Sequence, residues 1–160
     1  MEITPVMLNI IITATTFTLM EGVAWFTHKY VMHGLLWVLH KDHHQKKPHF
    51  FEKNDAFFLI FAVPSILFFF FGAEAGFNWM FYIGLGILIY GIAYFLVHDV
   101  IIHQRFKWFS RSDNRYIKTI KRAHKMHHKH LERHDGESFG MLFAARKYWQ
   151  QYQKNRNQNK

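Results

Sequence analysis

The sequence predicts an all-α integral membrane protein: three transmembrane helices carrying a helical, His-rich cytoplasmic cap. Three observations predict it. Three apolar runs, at about residues 6–26, 56–73 and 77–97, approach the roughly 20 residues a bilayer-crossing helix needs. All 20 Lys and Arg lie in two segments, His28 to Asn54 and everything after His103. Ten of the thirteen histidines gather in four tight clusters outside those runs.

The first run, Val6 to Phe26, is interrupted only by Asn9, several threonines and Glu21. The second, Ala56 to Ala73, contains Pro64, and the third extends from Phe77 to Val97. Only Glu74 to Gly76 separates the second from the third, which predicts a tight helical hairpin. With three spans both basic segments fall on one face, and an excess of Lys and Arg marks the cytoplasmic side. A fourth span would divide the basic residues between two faces. Trp25, Trp79 and Trp108 flank the spans and read as interface anchors. Phe68 to Phe71 read as lipid-facing or core residues. Gly84, Gly86 and Gly91 have the wrong spacing for a dinucleotide fingerprint and lie inside a span, where small residues let helices pack closely.

Composition narrows the function. The 160 residues predict one membrane-embedded domain, residues 1–160, ending in a frayed basic tail at about 144–160. Without cysteine the chain has no disulfide, no Fe–S ligation, no thiolate zinc site and no cysteine nucleophile. The start MEITPV is acidic and no small-residue cleavage site follows, which argues against a cleaved signal peptide. A formal charge of +9 suits anionic lipid or an acidic partner. The basic residues flank membrane runs and no reading motif occurs, so nucleic acid is not expected.

The clusters are HKYVMH (His28, His33), HKDHH (His40, His43, His44), HDVIIH (His98, His103) and HKMHH (His124, His127, His128). Imidazole is the commonest protein metal ligand. Ten imidazoles exceed what one ion can use and suit two. At 1.5 Å rise per residue, His28 and His98 lie about 18 and 17 Å from the bilayer centre, at one boundary. Positions i, i+3 and i+4 share a helix face, so each triplet can project together. The pairs are harder to place. Five residues turn about 140° on an ideal helix, so both rings cannot point the same way. They clasp an ion sideways between helices, or the helix ends near Gly34 and lets His33 swing. The competing reading of all four clusters is a set of solvated surface histidines; His49, His130 and His134 read as surface residues, as unpaired ones or as supports behind the ligands. Crowded imidazoles without metal would suppress one another's protonation and leave polar groups poorly satisfied.

Imidazole suits zinc, copper, iron and nickel alike. Structural zinc is usually four-coordinate, whereas five nitrogens per ion leave a five- or six-coordinate metal with room for oxygen. Asp42 and Asp99 lie inside the motifs. They are candidates to orient the rings by hydrogen bonding, or else they are solvated acids paired with a nearby lysine. Glu21 lies seven residues before His28, on about the same helical face. It serves the site, or it bonds a neighbouring helix.

In HKYVMHGLLWVLHKDHH, supported by HDVIIH and HKMHH, the sequence resembles the fatty acid hydroxylase superfamily, and within it the bacterial and plant-type β-carotene 3-hydroxylases. The resemblance covers roughly Glu21 to Phe143. It implies a non-haem di-iron monooxygenase that uses O₂ and two electrons to hydroxylate carbon 3 of a β-ionone ring, converting β-carotene to β-cryptoxanthin and zeaxanthin. The iron (Fe²⁺) ligands it implies are His28, His33, His40, His43, His44, His98, His103, His124, His127 and His128. With no flavin or nicotinamide motif, electrons come from an external, ferredoxin-like donor. Arg115, Lys118, Lys121, Arg122 and Lys125 would receive it, although anionic lipid accounts for the same charges. The implied location is a bacterial inner membrane with the metal site on the cytoplasmic side. The alternative is a related sterol, fatty acyl or keto-forming carotenoid oxygenase or desaturase, which keeps the chemistry and changes the substrate or product. A non-enzymatic metal carrier or sensor is disfavoured, because transporters place ligands near the bilayer midplane.

Overall fold

A computed structural model describes residues 2–45, 50–130 and 136–158, and among these there is no strand. Helix α1 spans Pro5–Phe26. Thr4 caps it by accepting from the Met7 amide at 3.3 Å, with Pro5 in the first turn, where a missing N–H does no harm. Helix α3 (Ala56–Glu74) and helix α4 (Trp79–Phe95) form the expected hairpin. Their turn uses two left-handed residues, Gly76 (φ 74°) and Phe77 (φ 59°), and Asn78 then caps α4 by accepting from the Met80 amide.

Helix α4 packs against both α1 and α3, and two glycines allow the close approach. A Cβ on Gly86 would come within 2.6 Å of Thr16 Cβ, and one on Gly72 within 2.2 Å of the Phe81 nitrogen. Hydroxyls tie the same seams, Thr13 to the Tyr82 carbonyl at 3.3 Å and Ser65 to the Gly84 carbonyl at 2.9 Å. Met20, Ala24, Ile87 and Tyr90 form the inner core, with Phe68 packed against it. Phe70 and Phe71 face outward with Ile10, Leu19, Phe58, Val63 and Ile92. The Phe68–Phe71 run therefore serves both core and periphery. An outward apolar belt of this extent suits lipid rather than water. Trp25, Trp79 and Trp108 are exposed at the helix ends.

Among the described residues three helices are long and apolar enough to cross a membrane, and they extend further than the apolar runs: Pro5–Leu35, Lys53–Glu74 and Trp79–Ile102. This corrects the expectation that the spans hold no histidine. His28, His33 and His98 ride on the ends of the spanning helices themselves. The helices continue because both switch from α to π winding, α1 over Thr27–Leu35 and α4 over Leu96–Ile102. The first switch ends at Gly34 (φ −128°, ψ −108°), where the chain kinks into helix α2 (Trp37–His44).

Helix α5 (Arg115–His127) is capped by Asn114, whose Oδ1 accepts from the amides of Tyr116 and Ile117. The expected frayed tail is instead helix α6 (Arg146–Gln158), docked on α5 with Tyr148 buried. Its basic residues face out while Tyr148 and Trp149 face in, so an apolar edge orders a segment that composition alone reads as solvated.

Candidate metal centre

The π winding resolves the geometry of the pairs. An i→i+5 hydrogen bond stacks residue i+5 over residue i, and the His103 amide makes that bond to the His98 carbonyl at 2.9 Å. The two rings of each pair accordingly lie close, 4.5 Å between centroids for His98 and His103 and 5.2 Å for His28 and His33. Neither a sideways clasp nor a swing at Gly34 is needed.

Nine of the ten clustered histidines converge in two adjoining cages. The first holds His28, His33, His40, His44 and His127, the second His43, His98, His103 and His124, and within each cage the ligand atoms lie within 4.8 Å of one another. His128 stands at the junction, its Nε2 2.8 Å from that of His124 and its ring stacked on His44 at 4.3 Å. The triplets do project from one face of each helix, but they divide between the cages. Helix α2 sends His40 and His44 to the first and His43 to the second. Helix α5 sends His127 to the first and His124 to the second. Of the histidines read as surface residues, His130 is exposed, and His49 and His134 lie outside the described residues.

Hydrogen bonds set the direction of five of the rings. His28 Nδ1 donates to the Phe139 carbonyl at 2.9 Å, His127 Nδ1 to the Glu137 carbonyl at 3.0 Å, and His40 Nδ1 to Asn54 Oδ1 at 2.6 Å. His43 Nδ1 donates to Glu52 at 2.8 Å and His98 Nδ1 to Asp99 at 3.2 Å. A carbonyl or carboxylate oxygen can only accept, so these five rings carry their proton on Nδ1 and turn a bare Nε2 lone pair inward.

The inward nitrogens face each other at short range: His28 and His40 at 3.1 Å, His40 and His44 at 3.0 Å, His43 and His98 at 3.1 Å, His33 and His127 at 3.1 Å, His103 and His124 at 2.8 Å. In the pairs His28–His40 and His43–His98 both Nδ1 protons are already committed, so neither nitrogen can donate to the other. Two lone pairs at that distance repel unless a cation lies between them. The spacing also fits one. Two ligands about 2.1 Å from an ion and at right angles to each other stand about 3.0 Å apart, against about 3.4 Å in a tetrahedron. The residues therefore fit a pair of metal ions, with cis angles closer to a five- or six-coordinate ion than to a tetrahedral one.

Outside the spanning helices, the rings resist protonation. Burial is the main cause, and repulsion among the rings adds to it. His40 is held at about 3 although its bond to Asn54 pulls the other way, and His128 at about 4. His43, His44, His103, His124 and His127 are likewise pushed well below the ordinary imidazole value.

The candidate acids take different places. Asp99 bonds the His98 ring. Asp42 bonds the backbone instead of a ring among the described residues. Its Oδ2 accepts from the Lys53 amide at 2.8 Å, which anchors the loop that carries Glu52 and Asn54. Among the described residues Glu21 bonds no imidazole. It accepts from the Tyr90 hydroxyl at 2.7 Å and from the amides of Met141 and Leu142 at 2.8 and 3.0 Å. Its carboxylate thus faces α4 and the loop before α6. Glu52, Asn54 and the carbonyls of Glu137 and Phe139 were not legible as ring partners. They lie between or beyond the motifs, and only folding brings them behind the rings.

The family model for fatty acid hydroxylase matches residues 13–149, which takes in all ten clustered histidines. The chain belongs to the fatty acid hydroxylase family. It is 39% identical over 142 residues to a β-carotene hydroxylase of Pseudescherichia vulneris, covering 88% of this chain and 79% of that one. A β-carotene hydroxylase of Pantoea ananas is 39% identical over 139 residues, with 85% and 77% covered. The chloroplastic β-carotene 3-hydroxylase 1 of Arabidopsis thaliana is 33% identical over 130 residues, which span 79% of this chain and 41% of the plant protein. No solved structure matches the chain significantly.

Proposed function

We propose that this chain is a membrane hydroxylase that places a hydroxyl on carbon 3 of the β-ionone ring of β-carotene, giving β-cryptoxanthin and then zeaxanthin. The observation that carries the reading is the pair of histidine cages with Nε2 atoms turned inward, in a chain whose relatives bear β-carotene hydroxylase names. His28, His33, His40, His44 and His127 would hold one iron. His43, His98, His103 and His124 would hold the other, with His128 closing the junction. Iron there supplies the reductive activation of O₂ and the oxidation of an unactivated C–H bond, chemistry that no side chain of this protein can perform.

The remaining work falls to the chain. The outward Nδ1 bonds hold His28, His40, His43, His98 and His127 each in one tautomer and one orientation. Buried Val97, Ile120 and Met141 form an apolar cluster on the segments that carry His98 and His124. The cages sit at the ends of the spanning helices, so a carotenoid end group can reach them from within the bilayer. On this reading residues 1–160 act as one membrane-embedded unit, with the cages on the cytoplasmic side of a bacterial inner membrane. Electrons come from a ferredoxin-like donor that meets the outer face of α5, where Arg115, Lys118, Lys121, Arg122 and Lys125 also face anionic lipid.

Expression in a host that accumulates β-carotene, followed by pigment chromatography and elemental analysis of the purified protein, tests this reading. The expected result is 3-hydroxylated product from protein carrying two irons. Iron-loaded protein that oxidises a sterol or fatty acyl chain and leaves β-carotene intact would overturn the substrate assignment.

A further inference from the structure

Outward apolar side chains form a strip along the first spanning helix. Leu19, Val23, Phe26 and Tyr30 are exposed and stand four, three and four residues apart, which is one face of a helix. Leu35 follows Tyr30 by five residues, and the π winding over Thr27–Leu35 brings it back to that face. The Phe26 and Tyr30 rings touch, 5.0 Å between centroids. After the kink at Gly34 the strip ends on α2 with exposed Val38.

Lipid tails account for the first part of this strip and not for the last. Lys29 holds its ammonium 5.3 Å from the centroid of the Trp25 ring and 5.6 Å from that of Tyr30. Aromatic rings with a cation mark the headgroup level, and Leu35 lies past it. Seven residues beyond His28, it stands up to about 28 Å from the bilayer centre. The hydrocarbon half-layer is about 15 Å thick, and the headgroups end at roughly 20–22 Å. Leu35 is nonetheless 86% exposed and Val38 66%. Apolar side chains held open at that depth, in a cap rich in Lys and His, call for an apolar occupant. Beside them stands the first cage. Trp37, half-buried between Leu35 and Val38 in the chain, sets its indole against three of the rings, 5.3 Å from His33, 5.5 Å from His44 and 6.0 Å from His40 between centroids.

We propose that Tyr30, Leu35, Trp37 and Val38 form the mouth by which the carotenoid reaches the cages. The polyene lies along the α1 strip with its far part still in the bilayer, and the end ring passes over Leu35 and Val38 to rest on Trp37. The inference rests on the substrate reading above. An end ring must leave the acyl layer to reach imidazoles at this depth, and contiguous apolar surface spares it contact with water on the way. Trp37 offers a flat apolar face at the end of that path. An acidic donor or a lipid headgroup would instead seek the lysines and arginines, and neither gains from Leu35 or Val38.

The test is titration of the full chain, one copy per lipid nanodisc, with β-carotene, followed by visible circular dichroism against empty discs. β-Carotene is achiral, so a signal in its absorption band reports a molecule held by the protein, whatever the metal content or turnover. A saturable signal is expected from the unaltered chain. Leu35→Ala and Val38→Ala should each weaken binding about 3–10-fold, and the double variant about 10–100-fold. Trp37→Ala should weaken it at least as much as either. Leu59→Ala and Leu67→Ala trim the outward face of α3 by the same side chain and should leave binding unchanged. In the active protein the Leu35 and Val38 variants should raise KM for β-carotene rather than lower kcat. Leu35 and Val38 are exposed, so their variants decide the matter even where Trp37→Ala does not fold. Unweakened binding in the double variant, or equal weakening in the α3 controls, would overturn the proposal and spare the substrate reading. So would a chain that dimerises in detergent and turns monomeric in the double variant with its carotenoid binding unchanged, since the lip would then join two copies. An unaltered chain that gives no induced signal would overturn the proposal and count against the substrate reading as well.

Discussion

Glu21 is the point at which a spanning helix holds the lid of the histidine array. Its carboxylate accepts three hydrogen bonds, from Tyr90 on α4 and from the Met141 and Leu142 amides. Those amides belong to the segment whose Phe139 carbonyl orients His28 and whose Leu142 carbonyl receives the Tyr116 hydroxyl at 2.9 Å. Hydrogen bonds to a charged acceptor contribute about 1.5–3 kcal/mol each, so three give a gross value of roughly 5–9 kcal/mol. Desolvating the carboxylate offsets several kcal/mol of that, which leaves a net loss on the order of 2–4 kcal/mol for Glu21→Ala. Glu21→Gln keeps one acceptor oxygen and should lose about half as much. Thermal unfolding in detergent, followed by circular dichroism, measures the stability, and metal retention after dialysis against chelator measures the array. The Ala variant should unfold earlier and release metal faster, with Gln between it and the unaltered protein. An Ala variant within about 0.5 kcal/mol of the unaltered protein, with its metal retained, would refute the pinning argument.

Gly86→Ala should wedge α1 from α4, since its Cβ would stand 2.6 Å from Thr16 Cβ and 2.8 Å from the Thr13 carbonyl. A loss of about 1–3 kcal/mol in the same melts is expected, and a wild-type melt would contradict the packing described. His40→Ala removes a ring that faces both His28 and His44. Elemental analysis should show about one ion lost per chain with hydroxylation abolished, and an active variant that retained both ions would exclude His40 as a ligand. Acid should destabilise the metal-free protein. His128 and His40 are held at about 4 and about 3 when folded, below the unfolded value of about 6.5, so the unfolded chain takes up protons first. Stability is then full above about pH 6.5 and declines as the pH falls toward 4 and then 3. Denaturant titrations at a series of pH values check this, and a metal-free protein more stable at pH 5 than at pH 8 would show the sign to be wrong.

The helical class and the three spans could be read directly, because apolar runs of that length have few other uses. The four motifs could be read because imidazoles so concentrated need a common partner. The relative placing of the pairs could not. An ideal α-helix puts His98 and His103 on different sides, and nothing in HDVIIH announces an i→i+5 turn. The acceptors behind the rings were equally hidden. Asn54 and Phe139 look like ordinary loop and apolar residues until the fold sets them against His40 and His28. Tyr148 shows the same limit, since one buried ring among basic neighbours makes a docked helix of an expected tail.

Each cage draws most of its rings from one stretch of chain and borrows a single ring from the other. The first takes four from residues 28–44 and only His127 from α5, and the second takes three from residues 98–124 and only His43 from α2. The loans cross, as in two hands clasped with one finger exchanged. Neither stretch can close its own cage, so an ion caught by one remains incompletely wrapped until the other arrives. On the proposed metal-centre reading, metal capture would fasten the early part of the polypeptide to the late part, and a chain truncated ahead of α5 would present open half-sites.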